Sequence, residues 1–215
     1  MTSDDVFREA RKEYEKGTLE ESAIATCPFR QFSSWFEEAV ASGYVEPNAC
    51  ALGTVGADGQ PSVRMVLLKS HDSRGFIFFT NYLSRKGVQL EANPLASLLF
   101  YWPVMERQVR IEGRCEKVSD AETESYFDAR PKGAQLGAAV SQQSRVVESR
   151  MIIDEAYRKL AQEVGEGKVQ RPTYWGGYRF VPHEFEFWQG RESRLHDRIR
   201  YTLKKATWET SRLWP

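Results

Sequence analysis

A single α+β domain built around an antiparallel sheet or barrel is the fold this sequence predicts, and three observations predict it. Strand-like runs from Ala49 to Val118 follow one another through short links; helix signatures with their own caps interrupt them at Ser84 and Ser119; strands return between Tyr174 and Trp208. No linker and no repeat of 20 to 50 residues divides the 215-residue chain, which is long enough to bury a core without staples and short for two full domains.

Each element has a local warrant. Thr2 or Ser3 can cap a helix running to about Lys16 and stopped by Gly17, although its apolar stripe is thin. A firmer helix starts at Pro28, carries Phe29, Phe32, Phe36 and Val40 on the side expected to face a core, and ends at Gly43. ACALGTVG and PSVRMVLLK flank Asp58-Gly59, the signature of a hairpin, and GFIFFT adds a third strand. SRKGVQLEANP reads as a short helix between Ser84 and Pro94, followed by strands LASLLFYW and RQVRIEGRCEKV. Ser119 and Glu122 form a capping box for a helix to about Arg130; Ile153, Tyr157, Leu160 and Val164 mark a longer one that Gly165 stops. The tail reads as strands YWGGYRFV, HEFEFWQG and RLHDRIRYTL, with a last one near Trp208.

Thirty basic residues balance thirty acidic ones, so no global field attracts nucleic acid or an anionic membrane, and any anion site must be local. Cys27, Cys50 and Cys115 are odd in number and far apart, which argues against a disulfide framework or a zinc site and for a reducing, cytoplasmic setting. The charged amino terminus lacks an apolar leader, and the longest charge-free apolar stretch, Leu95 to Trp102, is far below the roughly 20 residues of a membrane span. Dinucleotide, P-loop, nucleophile-elbow and zincin signatures are absent, and three histidines make a histidine-rich metal site improbable.

Four clusters are candidates for chemistry. Strand period two would put Arg194, His196 and Arg198 on one face, either as a solvated basic edge or as a set separated by an anion. Arg85 and Lys86 stand in the first turn of a helix, against the helix dipole unless a phosphate reverses the sign. Parity places Arg64 and Lys69 on opposite strand faces, so two different anions are the economical alternative to one. Tyr126 and Arg130, four apart, are either a surface pair or a hydroxyl and a guanidinium offered to one phosphate.

In order along the chain, RMVLLK, FFTNYLSRK, ERQVRIEG, YFDARP, QLGA, SQQS, WGGY, FWQG and RLHDR closely resemble the pyridoxine/pyridoxamine 5'-phosphate oxidase family. The likeness runs from about Arg11 to the terminal RLWP, and FWQG closely followed by RLHDR is its most specific part. The resemblance implies an FMN-binding split β-barrel of antiparallel strands with peripheral helices, in a homodimer whose two FMN molecules each lie in a cleft formed by both subunits. It implies a mobile helical segment over 1–20 and one FMN-binding domain over 21–215.

Carried over by motif, the implied flavin contacts are Arg64, Met65, Val66, Leu67, Leu68 and Lys69, then Phe79, Thr80, Arg85, Lys86, Gln108, Gln143, Ser144, Trp188 and Arg198. The substrate phosphate would meet Lys69, Tyr126 and Arg130; Arg194 and His196 would be catalytic at the pyridine ring; Arg11 and Tyr14 would close over the substrate. The implied reaction is oxidation of pyridoxine or pyridoxamine 5'-phosphate to pyridoxal 5'-phosphate, with hydride passing from C4' to flavin N5 and O2 reduced to H2O2. A non-catalytic carrier of FMN or pyridoxal phosphate is the alternative, with other split-barrel flavoproteins behind it. Ala134 stands where the family usually places a serine at the substrate phosphate, which predicts weaker binding by about 1 kcal/mol rather than another reaction.

Overall fold

The computed structural model describes residues 13–215. Its elements are α1 (Pro28–Ala41), β1 (Ala49–Val55), β2 (Pro61–Leu67), β3 (Ser70–Asp72), β4 (Gly75–Asn81), α2 (Arg85–Ala92), β5 (Leu95–Trp102) and β6 (Arg107–Lys117). There follow α3 (Asp120–Asp128), α4 (Lys132–Val140), α5 (Arg150–Val164), β7 (Trp175–Gln189), β8 (Asp197–Lys204) and β9 (Thr207–Arg212). The strands join in the order β2-β1-β5-β6-β7-β4-β3, with β8 pairing β7 and β9. The expected mixed fold around an antiparallel sheet is what the chain adopts.

The chain divides into two compact units. One comprises the described residues up to Ala49, Leu98–Ile111 and His183–Pro215. Here α1 begins at Pro28, a residue whose missing N–H costs nothing in a first turn. Its buried face is Gln31, Phe32, Trp35 and Ala39, with Phe32 against Phe100 and Trp35 edge-on to Phe187. Val40, expected on this face, is instead 52% exposed, because the Trp35 and Ala39 stripe rotates the helix away from it. Residues 13–16 carry no helix, contrary to expectation, since a carboxylate rather than helical carbonyls takes the N–H groups of Glu15 and Lys16. Residues 1–12, where most of that expected helix and Arg11 fall, lie outside the described residues.

The other unit comprises Cys50–Ser97 and Glu112–Pro182. The β1–β2 hairpin turns at Asp58-Gly59, where Gly59 takes the left-handed backbone (φ 78°) open to glycine. Ser84 caps α2 by accepting the Gly87 N–H, and the capping box of Ser119 and Glu122 starts α3, both as the sequence predicts. Phe127, Leu136, Val169 and Trp175 form a core cluster that fixes α3 and α4, with Tyr157, Leu160 and Val164 of α5 packed on it. Emptying it by Phe127→Ala would cost about 3–5 kcal/mol and release the helix that carries Tyr126.

Two expected strands prove to be one. YWGGYRFV and HEFEFWQG run together as β7, paired with β4 over Trp175–Phe180 and with β8 over Glu184–Gln189. Pro182 falls between those two registers, where a missing N–H is tolerated.

Candidate functional site

A cleft of about 670 Å³ in the second unit is lined by Met65, Val66 and Leu67 of β2, Lys69, Phe79 and Thr80 of β4, and Lys86 of α2. Tyr126, Arg130, Ala134, Gln143 and Trp175 complete most of the wall. Ten residues expected at a ligand are thus brought to one cavity, together with Ala134. Leu68 instead points into the core, at 6% exposure.

One group of cations centres on α2. Arg64 donates to the carbonyl of Leu52, to Gln89 Oε1 and to Thr54 Oγ1, all neutral acceptors. Lys86 Nζ donates to Thr80 Oγ1 at 3.1 Å and to Gln143 Oε1 at 2.9 Å. Burial and the Arg64 charge pull Lys86 down to about 8, and burial with the charge of Arg85 lowers Arg64. Among the described residues no ion pair with a carboxylate relieves these three cations. Lys86 and Arg64, partly desolvated and repelling each other, with the exposed Arg85 beside them, form a set built to accept an anion.

A second group stands on Lys69, Tyr126 and Arg130. Lys69 leaves the β2 ladder, anchored by its N–H on the carbonyl of Ile77, so the parity argument that separated it from Arg64 holds to Leu67 and the chain then turns Lys69 to the cleft. Tyr126 stacks on Phe79 with ring centroids 3.9 Å apart, and the Arg130 guanidinium lies 4.7 Å over the Trp175 ring. Arg130 Nη1 is sealed from solvent without a hydrogen-bond partner, and burial lowers the guanidinium's pKa. Such an orphaned donor is costly unless a ligand oxygen meets it. Helix α3 ends at Asp128, so Arg130 lies just past the helix that was expected to carry both residues.

Trp188, His196, Arg198, Gln108 and Tyr14 belong to the first unit. Trp188 and His196 rings lie 4.7 Å apart, and Tyr14 is edge-on to both. His196 Nδ1 accepts the Arg191 N–H at 3.1 Å; burial and the Arg194 charge lower its pKa, so the neutral ring carries its proton on Nε2. Arg198 binds buried Glu186 through Nε and Nη2, and Glu186 also receives Arg110. Gln108 is half-buried, while Ser144, exposed, has a left-handed backbone (φ 73°) in the loop that carries Gln143.

The expected alternation of Arg194, His196 and Arg198 on one strand face is wrong for its first part. Ser193 and Arg194 take left-handed backbone (φ 56° and 63°) in a one-turn helix, and β8 starts only at Asp197. The turn is closed by the Leu195 N–H on Glu192 and the Arg191 N–H on His196, which a strand could not provide. Sequence reasoning also missed Thr54 and Gln89, which hold Arg64, and Asn81, whose amide donates to Ser141 and ties β4 to the Gln143 loop. Trp175 was missed as the platform beneath Arg130, although an aromatic opening WGGY was the available signal.

An antiparallel-sheet protein with a cation-lined, anion-accepting cleft is the class that fold and site define. Residues 36–162 match the family model described as pyridoxamine 5'-phosphate oxidase, and residues 175–215 match the pyridoxine 5'-phosphate oxidase C-terminal dimerisation region. The chain belongs to the pyridoxamine 5'-phosphate oxidase family. It is 53% identical over 205 residues to the pyridoxine/pyridoxamine 5'-phosphate oxidase of Acaryochloris marina, covering 95% of this chain and 94% of that one. It is 55% identical over 206 residues to the enzyme of the same name from Cupriavidus taiwanensis, covering 95% and 97%. Among solved structures, PhzG from Burkholderia lata, in complex with tetrahydrophenazine-1-carboxylic acid, matches with TM-score 0.88 at 30% identity, over 95% of this chain and all of that one. A pyridoxamine 5'-phosphate oxidase-related, FMN-binding protein from Nostoc punctiforme shares the fold with TM-score 0.70 at 16% identity, over 89% of this chain and all of that one.

Proposed function

We propose that the protein oxidises pyridoxine or pyridoxamine 5'-phosphate to pyridoxal 5'-phosphate, with FMN as its cofactor and O2 as electron acceptor. The observation that carries this reading is a pair of separate anion holders at one cleft: Lys86 in its wall, with Arg64 and Arg85 close behind, and Lys69 with Tyr126 and Arg130 in the same wall. A flavin phosphate fits the first set: its cations have only neutral partners, and Thr80 and Gln143 already hold the ammonium in place. The substrate phosphate fits the second, where it would meet the orphaned Nη1 of Arg130.

Bound FMN supplies acceptance of a hydride from the substrate C4' carbon and passage of the electron pair to O2, giving H2O2. The chain's own residues bind and orient. Arg130 and Lys69 fix the phosphate and thereby the reach of the pyridine ring. Arg194 presses on that ring. His196, with Nδ1 engaged by Arg191, offers the Nε2 proton to a substrate oxygen, which supports a positioning role over that of a base. With the amine substrate, water hydrolyses the resulting imine to the same aldehyde.

The match of residues 175–215 to the C-terminal dimerisation region supports a homodimer, with Trp188, Arg194, His196 and Arg198 inside that region. Arg11 and Tyr14 are proposed to meet the substrate from the amino-terminal side. Three unpaired cysteines suit a cytoplasmic setting, and among the described residues no helix is long and apolar enough to cross a membrane.

Oxygen uptake by the purified yellow protein tests the proposal. Pyridoxine 5'-phosphate should draw oxygen and yield pyridoxal 5'-phosphate. Uptake only with a tetrahydrophenazine carboxylate would move the chain to the chemistry of the PhzG relative, and none with either would make it a carrier.

A further inference from the structure

Residues 14–17 sit in a dock whose parts the proposed reaction does not use. Glu106 ends the one-turn helix Pro103–Met105 with a left-handed backbone (φ 56°, ψ 39°), a conformation that favours glycine or asparagine over glutamate. Its side chain explains why glutamate is there. The residue is 1% exposed, and Oε2 accepts both the Glu15 N–H at 2.9 Å and the Lys16 N–H at 3.0 Å. A buried carboxylate needs such donors, and two adjacent backbone N–H groups supply them. Lys16 Nζ adds a bond to the carbonyl of Val104 at 2.8 Å.

Gly190, the last residue of FWQG, forms the opposite wall. Its N–H donates to the Glu106 carbonyl at 2.8 Å, and a Cβ built on it would stand 2.7 Å from Tyr14 Cγ. Only glycine leaves room for the ring. Gln189 braces the same turn through its amide on the carbonyls of Met105 and Glu106, and a Cβ at Gly17 would stand 3.1 Å from its Oε1. The outcome is a fixed Tyr14, edge-on to Trp188 at 5.6 Å and to His196 at 5.7 Å.

We propose that Glu106 is a positioning residue: by clamping the N–H groups of residues 15 and 16 it holds Tyr14 against His196 and Trp188, in the space that Gly190 leaves. The carboxylate acts on substrate only through Tyr14. This rests on the proposed placement of Tyr14 and His196 at the substrate.

Glu106→Gly is the test variant, since it deletes the carboxylate while relieving the left-handed backbone, so the fold is kept; Glu106→Gln retains an acceptor oxygen. Measured on the FMN-loaded protein, trypsin should cut after Lys16 roughly tenfold faster in Glu106→Gly and in Gly190→Ala, and at close to the parent rate in Glu106→Gln. With pyridoxine 5'-phosphate, Glu106→Gly should lose roughly tenfold in kcat/KM, mainly through KM, and add nothing further on top of Tyr14→Ala. Unchanged cleavage in both Glu106→Gly and Gly190→Ala overturns the clamp, as does a kcat/KM loss that multiplies with that of Tyr14→Ala. If the parent protein oxidises no substrate, the proposed reaction falls, and the cleavage rates alone decide the clamp.

Discussion

Replacing Arg130 by methionine should leave the ligand-free protein as stable as before, or more so, while stripping it of phosphate affinity. Arg130 Nη1 is sealed without a partner, and the guanidinium rests 4.7 Å over Trp175. An unsatisfied buried donor costs about 1–3 kcal/mol, against which the cation–π contact returns about 0.5–2 kcal/mol. Methionine keeps an apolar stem on the indole without the orphaned donor. The balance spans a loss of about 1 to a gain of about 2.5 kcal/mol, and at mid-range is a gain of about 0.8 kcal/mol, or a Tm higher by roughly 2–3 °C for a chain of this size. With a phosphate bound the sign reverses. A charge-assisted bond is worth about 1.5–3 kcal/mol, so the Kd for pyridoxal 5'-phosphate should rise roughly 10- to 150-fold. Thermal unfolding of the ligand-free protein and an absorbance titration with pyridoxal 5'-phosphate read the two signs separately. A Tm lowered by several degrees with unchanged affinity would refute the reasoning and make Arg130 a structural residue.

Lys86 should make FMN binding pH-dependent. Its pKa of about 8 lies below the ordinary 10.5, so the unfolded chain binds more protons between those values and the ligand-free protein gains stability as pH rises through that window. In the proposed site the flavin phosphate pairs with the ammonium, so FMN affinity should fall as pH passes 8, and fluorescence titration of Lys86→Met should show weaker binding without that step. Ala134→Ser should lower KM for the phosphorylated substrate roughly fivefold through one added hydrogen bond; an unchanged KM would mean that the α4 entry does not reach the phosphate. Arg194→Ala should lose at least roughly tenfold in kcat/KM with flavin retained, and steady-state kinetics at parent level would remove Arg194 from the ring site.

Local chemistry made much of this protein legible before its structure. The Ser84 cap, the Ser119–Glu122 box and the Asp58-Gly59 turn are decided within four residues, and each forms where the sequence predicts. Helix α4 was not predicted, because KGAQLGAAV has small residues and a single buried leucine, and its stability comes from the Phe127 and Trp175 cluster. The Arg194 turn escaped for the opposite reason: RLHDR alternates like a strand, and only the bond from the Arg191 N–H to His196 shows that the chain bends first. Cations could be found by type and spacing. Their grouping could not, since Lys86 meets Gln143 across 57 residues and Arg130 meets Trp175 through tertiary packing alone.

The central claim is that one cleft grips two phosphates independently, and a crossed binding experiment tests it most directly. FMN and pyridoxal 5'-phosphate are titrated, alone and together, into the parent protein, Lys86→Met and Arg130→Met. The account predicts that both ligands bind the parent at once, that Lys86→Met weakens FMN alone, and that Arg130→Met weakens pyridoxal 5'-phosphate alone. Displacement of one ligand by the other, or an equal loss of both in either variant, would contradict it.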